Sequence, residues 1–215
     1  MAPSMPYSKS APLCGPVPQK FRVILGVTGA SGSIYGWRLL EKLSARADTE
    51  VHLVLSRAGE KTAFLELGKS AADFRALAAY TYPHEDIGCR IASGSFMTSG
   101  MAIAPCSINT MSAIATGISS NLMVRAADVV LKERRRLILM VRESPLHLGH
   151  LRSMTALAEM GAILAPPAPA FYHHPKTIED LVDHSVDRVL DLLGLPSDGA
   201  SRWDGAQSRG DGVIK

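Results

Sequence analysis

Apolar positions along the chain fall into two alternating rhythms. Phe21–Val27 (FRVILGV) is an unbroken, β-branched run bounded by glycines and reads as a buried strand. Residues 51–55 (VHLVL), 101–104, 136–141 (RLILMV) and 161–165 (GAILA) read the same way. Between these runs the spacing lengthens to that of a helix. The first helical pattern follows TGASGSIYG and continues to about Ala45, with Ile34, Leu39, Leu40 and Leu43 apolar. Residues 56–67, 70–79, 110–116, 121–133 and 148–160 carry the same signature. Residues 80–99 are polar, hold Pro83, Gly88 and Gly94, and read as a loop; 166–175 read as a proline-rich loop. The last helix is the clearest. Thr177 is placed as its N-cap, and Glu179 and Asp180 favour the dipole of its first turn. Ile178, Leu181, Val182, Val186, Val189, Leu190 and Leu193 make one stripe, and Gly194 and Pro196 stop it.

Strands alternating with helices through short links predict an α/β fold with a parallel sheet covered on both faces. Ligands in such folds bind beyond the carboxyl ends of the strands, so the informative loops follow Val27, Leu55, Ala104, Val141 and Ala165. The 215 residues divide into a disordered leader (1–20), one folded domain (21–195) and a polar tail (196–215). A net charge of +3 spread over both signs gives no concentrated basic face for nucleic acid. Lys132, Arg134, Arg135 and Arg136 are the single candidate run, and Glu133 interrupts it. Three cysteines without a CxxC pair fit a reducing compartment, and no apolar run is long enough to span a bilayer; the expectation is a cytoplasmic protein with no membrane partner.

Gly29-Ala30-Ser31-Gly32-Ser33 joins the first strand to the first helix. Glycines admit close approach and a helix N-terminus favours an anion, so this loop reads as a phosphate site. GxGxxG and a Walker lysine are both missing, which favours a mononucleotide over a dinucleotide or ATP. Ser56 ends the second strand; as a bare residue it is as well explained as a helix cap. Ser107, Ile108, Asn109 and Thr110 open the helix after the third run and can grip the same ligand. Cys106 reads as a packed core thiol. Glu143, at the carboxyl end of a strand, stands where catalytic acids often do, or else caps a helix. Phe171 and Tyr172 offer an aromatic ring and a phenol on a rigid loop. Arg188 edges the apolar stripe of the last helix, either snorkelling or pairing with an anion. Arg125 and Lys132 share a helix face and can reach one anion. The pairs His147/His150 and His173/His174 lack further ligands at metal spacing, so no metal is expected.

Taken together, VTGASGSIYG, SGSFMTSGMAIAPCS, NLMVRAADVVLKERRRL, RESPL and PAFYHHPKTIEDLVD resemble the UbiX-type flavin prenyltransferases, over roughly Phe21 to Leu195. The resemblance implies a Rossmann-like, flavodoxin-type, three-layer fold and a homo-oligomer, typically a dodecamer, with active sites at subunit interfaces. It implies metal-independent transfer of a dimethylallyl group, from dimethylallyl phosphate or diphosphate, to N5 and C6 of reduced FMN. The product, prenylated FMN, is the cofactor of a UbiD-type decarboxylase. On matching positions, Gly29, Ala30, Ser31, Ser56, Ser107, Ile108, Asn109, Thr110 and Arg125 would hold FMN. Lys132, Tyr172 and Arg188 would bind the donor phosphate. Glu66 from a neighbouring subunit would close the site. Glu143, with Ser31, Lys132 and Glu66, would form the catalytic set, Glu143 managing protons, and Trp203 would cover the allyl group.

The chain departs from the family pattern at Asn109, at Val141 and at Arg152, where a positive charge replaces a frequent glutamate. A cysteine-decarboxylase relative of the same fold would show a PxMN segment and an early histidine. Here the segment reads Pro105-Cys106-Ser107-Ile108-Asn109, and the first helix holds no histidine. A non-catalytic flavin carrier would need none of Glu143, Lys132, Tyr172 and Arg188.

Overall fold

The computed structural model describes residues 20–195. In chain order the elements are β1 (Phe21–Val27), α1 (Ser33–Ser44), β2 (Thr49–Leu55), α2 (Arg57–Leu67), α3 (Ala71–Leu77), β3 (Tyr80–Tyr82), a 3-10 turn (Arg90–Ala92), β4 (Gly100–Cys106), α4 (Ile108–Ala115), α5 (Leu122–Lys132), β5 (Arg136–Val141), α6 (Leu148–Glu159), β6 (Ile163–Leu164) and α7 (Ile178–Leu193). The strands form one sheet in the order β3-β2-β1-β4-β5-β6, and every pairing is parallel. Leaving out the short edge strand β3 gives the flavodoxin-type order expected from the resemblance. The chain reverses direction across the sheet between β1 and β4, which opens a crevice at their carboxyl ends.

The central strands β1, β4 and β5 are almost wholly apolar on both faces because both are covered. Val23, Leu25 and Val27 of β1 face one layer with Ile138 and Met140 of β5, against Leu39, Leu40 and Leu43 of α1 and Val186, Val189 and Leu190 of α7. Ile24, Leu137 and Leu139 face the other, against Met111 of α4, Met123, Ala127 and Val130 of α5 and Leu157 of α6. Across the first layer α7 is latched to α1 by ion pairs. Arg38 donates to Asp183 at 2.6 and 3.0 Å, and Lys42 reaches the buried Asp187 at 2.6 Å.

Two strand readings need correction. Residues 80–99 are not loop throughout, because Tyr80–Tyr82 adds a parallel edge strand to β2. Three residues carry too little pattern to be read as a strand, and side chains hold this one. Tyr82 Oη lies 2.9 Å from Nδ1 of the buried His52, Arg90 donates to Tyr82 Oη at 2.6 Å, and the Arg90 guanidinium covers the Tyr80 ring at 4.0 Å. Strand β4 also runs on through Pro105 to Cys106, with its register against β5 broken between Ile103 and Cys106. Helix α4 accordingly begins two residues earlier than the periodicity suggests, and Ser107 is its cap. The expectations for the C-terminal helix hold: Thr177 Oγ1 accepts from Asp180 N at 3.1 Å in a capping box, and Gly194 ends α7 at φ 82°.

Gly36 marks where α1 crosses the sheet most closely. A Cβ there would meet the Ala104 carbonyl oxygen at 2.2 Å and Val27 Cγ2 at 3.2 Å. Backbone cannot yield as a side chain does, so Gly36→Val should destabilise the protein by about 2–3 kcal/mol through overpacking. Urea unfolding should show a lower midpoint at unchanged slope.

Candidate active site

The carboxyl edge of the sheet is sewn together by main chain and one buried hydroxyl. Thr28, the first residue past β1, donates from Oγ1 to Pro105 O at 2.7 Å and accepts from Ser107 N at 2.9 Å. Ser56 N donates to Val27 O, and Arg142 N to Cys106 O. The loops after β1, β2, β4 and β5 are thereby fixed relative to one another. Thr28 is missed by sequence reasoning, since a threonine before a glycine turn gives no sign of a bridge to a loop 77 residues away.

The glycine loop behaves differently from its sequence reading. A Cβ at Gly29 would fall 2.5 Å from the Ala58 Cβ, so this glycine admits α2 rather than a ligand. Gly32 is at φ 98°, in the left-handed region, and caps α1. The amides that were expected to receive a phosphate already hold an anion. Glu66, from α2 of the same chain, accepts from Gly32 N at 3.0 Å and Ser33 N at 2.8 Å. Burial pushes its carboxyl up, but hydrogen bonds from the Ser31 side chain and from these two amides outweigh that and hold it below the usual range. Within one chain, then, Glu66 caps α1, and the amides that the sequence offers to a phosphate face its carboxylate. A second anion on the same amides would be repelled.

The N-terminus of α4 lacks such an occupant. Ser107 Oγ accepts from Thr110 N and donates to Thr110 Oγ1, and the first turn, which holds Ile108 and Asn109, has no acid. Ser56 caps α2 in the same way, through Gly59 N, with Glu60 in that first turn. Helix α5 starts at the same edge, where Leu122 N donates to the His84 carbonyl just past β3, and Arg125 in its first turn pairs with Asp128 at 2.7 Å. Glu143 lies two residues past β5 and accepts from Ser144 N at 3.0 Å; it does not cap α6, whose N-cap is His147. Arg142 faces Tyr35 of α1; burial pushes that phenol up and the Arg142 charge opposes it. Cys106 is fully buried, its thiol pushed up to about 12 by burial, as a core residue should be.

The remaining candidates lie elsewhere. Lys132 ends α5 at the amino edge of the sheet, just before β5 begins, and pairs with Glu133. Arg125 and Lys132 share a face as expected, yet roughly 10 Å of helix rise separates them and each has its own carboxylate. Glu143 is beyond the opposite end of β5, whose six residues span roughly 17 Å. Tyr172 and Arg188 lie on the outer side of α7, on the other face of the sheet from α5; Arg188 is 4.0 Å from Asp191. One chain thus does not gather Lys132 and Glu143 at one point, since they lie beyond opposite ends of β5. Ser31, Glu66, Asn109, Lys132, Glu143, Tyr172 and Arg188 are all exposed. Trp203 lies outside the described residues. Among the described residues no group of three or more His, Cys, Asp or Glu side chains could hold a metal, and no helix is long and apolar enough to cross a membrane.

Residues 17–190 match the model of a protein family described as Flavoprotein. A flavin prenyltransferase UbiX of Escherichia coli K12 is 53% identical over 187 residues, covering 86% of this chain and 99% of that protein. A dodecameric FMN-dependent UbiX-like decarboxylase from Escherichia coli O157:H7 superposes with a TM-score of 0.84 at 46% identity, over 86% of this chain and 100% of the other. AnUbiX (PadA1), solved in complex with FMN and dimethylallyl pyrophosphate, gives 0.85 at 42% identity, over 88% and 100%.

The Glu66 cap has a measurable signature. A carboxyl held low in the folded state adds stability above its unfolded value near 4.3, and that stability is lost as pH falls through the folded value. Solvent screens this exposed group, so Glu66→Gln should cost about 0.5–1 kcal/mol at pH 7. The difference from the parent should shrink toward zero below about pH 4 in paired thermal melts.

Proposed function

The chain belongs to the flavoprotein family and, within it, to the UbiX-type flavin prenyltransferases, and we propose that it joins a dimethylallyl group to N5 and C6 of reduced FMN at a site completed by neighbouring subunits. The observation that carries the second half is the separation of the candidate groups. Ser31, Glu66 and Glu143 belong to the carboxyl edge, Lys132 to the amino edge, and Tyr172 with Arg188 to the outer side of α7. Copies of the chain packed edge to face bring these sets together, and a dodecamer of the kind named for the Escherichia coli O157:H7 protein satisfies that need.

FMN fits the residues of the crevice. Its phosphate belongs on the acid-free N-terminus of α4, with the hydroxyls of Ser107 and Thr110 and the guanidinium of Arg125. Ile108 and Asn109 lie along the same turn, and Ser56 and the main chain of Gly29 and Ala30 line the opposite wall. When bound, the reduced flavin supplies the nucleophilic nitrogen and ring carbon that accept the prenyl group. The donor is dimethylallyl phosphate or diphosphate. Breaking its allylic C–O bond gathers negative charge on phosphate, which Lys132, Arg188 and the Tyr172 hydroxyl stabilise. These cations take the place of a metal. Aromatic faces stabilise the positive carbon, and Trp203 is assigned to cover it. Glu143 moves a proton between the leaving phosphate and the flavin, and the Ser31–Glu66 pair, already hydrogen-bonded, holds a proton beside the crevice. Water must be excluded to protect the allyl cation, which the exposure of Ser31, Glu66, Lys132, Glu143, Tyr172 and Arg188 on a lone chain makes a task for the neighbours. The product serves a UbiD-type decarboxylase, in the cytoplasm.

Three measurements test this reading. Anaerobic incubation with reduced FMN and dimethylallyl phosphate should yield a flavin heavier by one C5 unit; an unchanged mass with FMN bound would sink it. Glu143→Gln should keep FMN bound and slow product formation by roughly 10²–10⁴-fold. Co-expressed Lys132→Ala and Glu143→Gln chains should regain about one quarter of the parent rate, the share of sites built from two intact halves. No recovery in mixed oligomers would mean that one chain supplies both groups.

A further inference from the structure

Tyr172 does not stand alone on α7. Its loop closes in a turn in which His174 N donates to Phe171 O at 3.0 Å, with His174 itself at φ 55°. That turn folds the phenol back onto the helix, where Tyr172 Oη lies 3.3 Å from Nε2 of His184. His184 precedes Arg188 by one helical turn, so the imidazole and the guanidinium share a face. His173 stacks on His184 with ring centroids 4.4 Å apart and planes 14° from parallel, and it meets Tyr172 edge-on at 5.5 Å. Both His173 ring nitrogens are buried and make no hydrogen bond within the chain, so this ring acts as an apolar wedge behind His184. Asp187, three residues on, is bound to Lys42, and Asp183, one residue back, to Arg38, which fixes this turn of α7 to α1.

We infer that His184 is a positioning residue for the donor phosphate: Nε2–H donates to the Tyr172 oxygen, so the phenol proton points outward to the anion that Arg188 attracts. The inference rests on the assignment of Tyr172 and Arg188 to the donor phosphate made above. A phenol has one proton. If Nε2 accepted it, Tyr172 would present only lone pairs to a dianion and would repel it. If Nε2 donates, the same hydroxyl becomes a hydrogen-bond donor on the helix face that carries the guanidinium. Burial and the neighbouring His173 hold the imidazole below its ordinary value, with Asp187 opposing, so the neutral ring is the form to consider. In that form the Nε2–H tautomer is the productive one. His184 touches neither phosphate nor flavin and acts through Tyr172.

The test uses the full-length oligomer and steady-state prenylation of reduced FMN with dimethylallyl phosphate varied. His184→Phe keeps a ring against His173 and removes Nε2. It should raise the KM for dimethylallyl phosphate roughly three- to tenfold, the worth of one hydrogen bond, while kcat stays within about twofold and FMN binding is unchanged. His184→Gln places an amide N–H near the Nε2 position and should restore most of the loss. In a Tyr172→Phe background His184→Phe should add nothing. An unchanged KM, or an equal rise in the Tyr172→Phe background, overturns the inference while prenylation by the parent stands. Absence of product from the parent overturns the functional reading and this inference with it. If His184→Phe fails to assemble, His184→Met gives the same comparison. If both fail to assemble while Tyr172→Phe and His184→Gln do not, the role is structural and the inference is overturned.

Discussion

The bridge made by Thr28 is the constraint on which the candidate site depends. A parallel sheet whose chain reverses direction between β1 and β4 leaves two loops diverging at that point, with unsatisfied main-chain groups between them. The Thr28 hydroxyl fills both needs at once, donating to Pro105 O and accepting from Ser107 N. It is buried, so each of these bonds is made away from competing water. Because Ser107 is also the cap of α4, the same bridge sets the direction in which that helix presents its N-terminus. Sheet topology opens the crevice, and one side chain decides its shape.

Charge is then partitioned along the rim of that crevice. Helices α1, α2, α4 and α5 begin at that edge, and partial positive ends side by side would favour anions without discrimination. Glu66 removes α1 from the competition by binding its amides within the chain, and Glu60 burdens the first turn of α2. The N-termini of α4 and α5 keep first turns free of acid. The Glu66 carboxylate gains a second value from this arrangement, since its hydrogen bond to Ser31 leaves a polar pair at the position where the glycine loop meets the crevice.

Much of this was legible in the sequence, and the gaps have physical causes. Strands buried on both faces must be apolar throughout, so Phe21–Val27 and Arg136–Val141 stand out with their full lengths. The stripe and caps of α7 were readable for the same reason: periodicity and capping are local. Tyr80–Tyr82 was not readable, because its strand is fixed by side-chain contacts to His52, 30 residues away from Tyr82, and to Arg90 in the following loop, which leave no periodicity in the three residues themselves. Gly29 illustrates a subtler limit. A glycine in a strand–helix turn suggests room for a ligand, yet the space beside it is taken by Ala58. Glu66 had no local signature at all. It entered through resemblance to a family, and its partners, Gly32 and Ser33, lie across α1 and β2 from it in the sequence.

The proposed division of the site among subunits is what a parallel α/β unit, by what it can and cannot do, would call for. Such a unit presents one edge rich in helix N-termini, which suits the binding of a phosphorylated flavin. Its helix C-termini lie at the opposite edge, and Lys132 is found there, where the dipole favours a cation. A single chain therefore separates its best anion-binding edge from part of its cationic side chains by the length of the sheet. Allyl transfer needs both at one place, with water expelled. Packing the amino edge and the outer face of one copy against the carboxyl edge of another meets both requirements, bringing cations to the crevice and covering it. The ion pairs of Arg38 and Lys42 with Asp183 and Asp187 matter in that assembly for a mechanical reason. They tie the helix that opens from the glycine loop to the helix that carries Arg188, so the two helices hold a fixed relation within the chain.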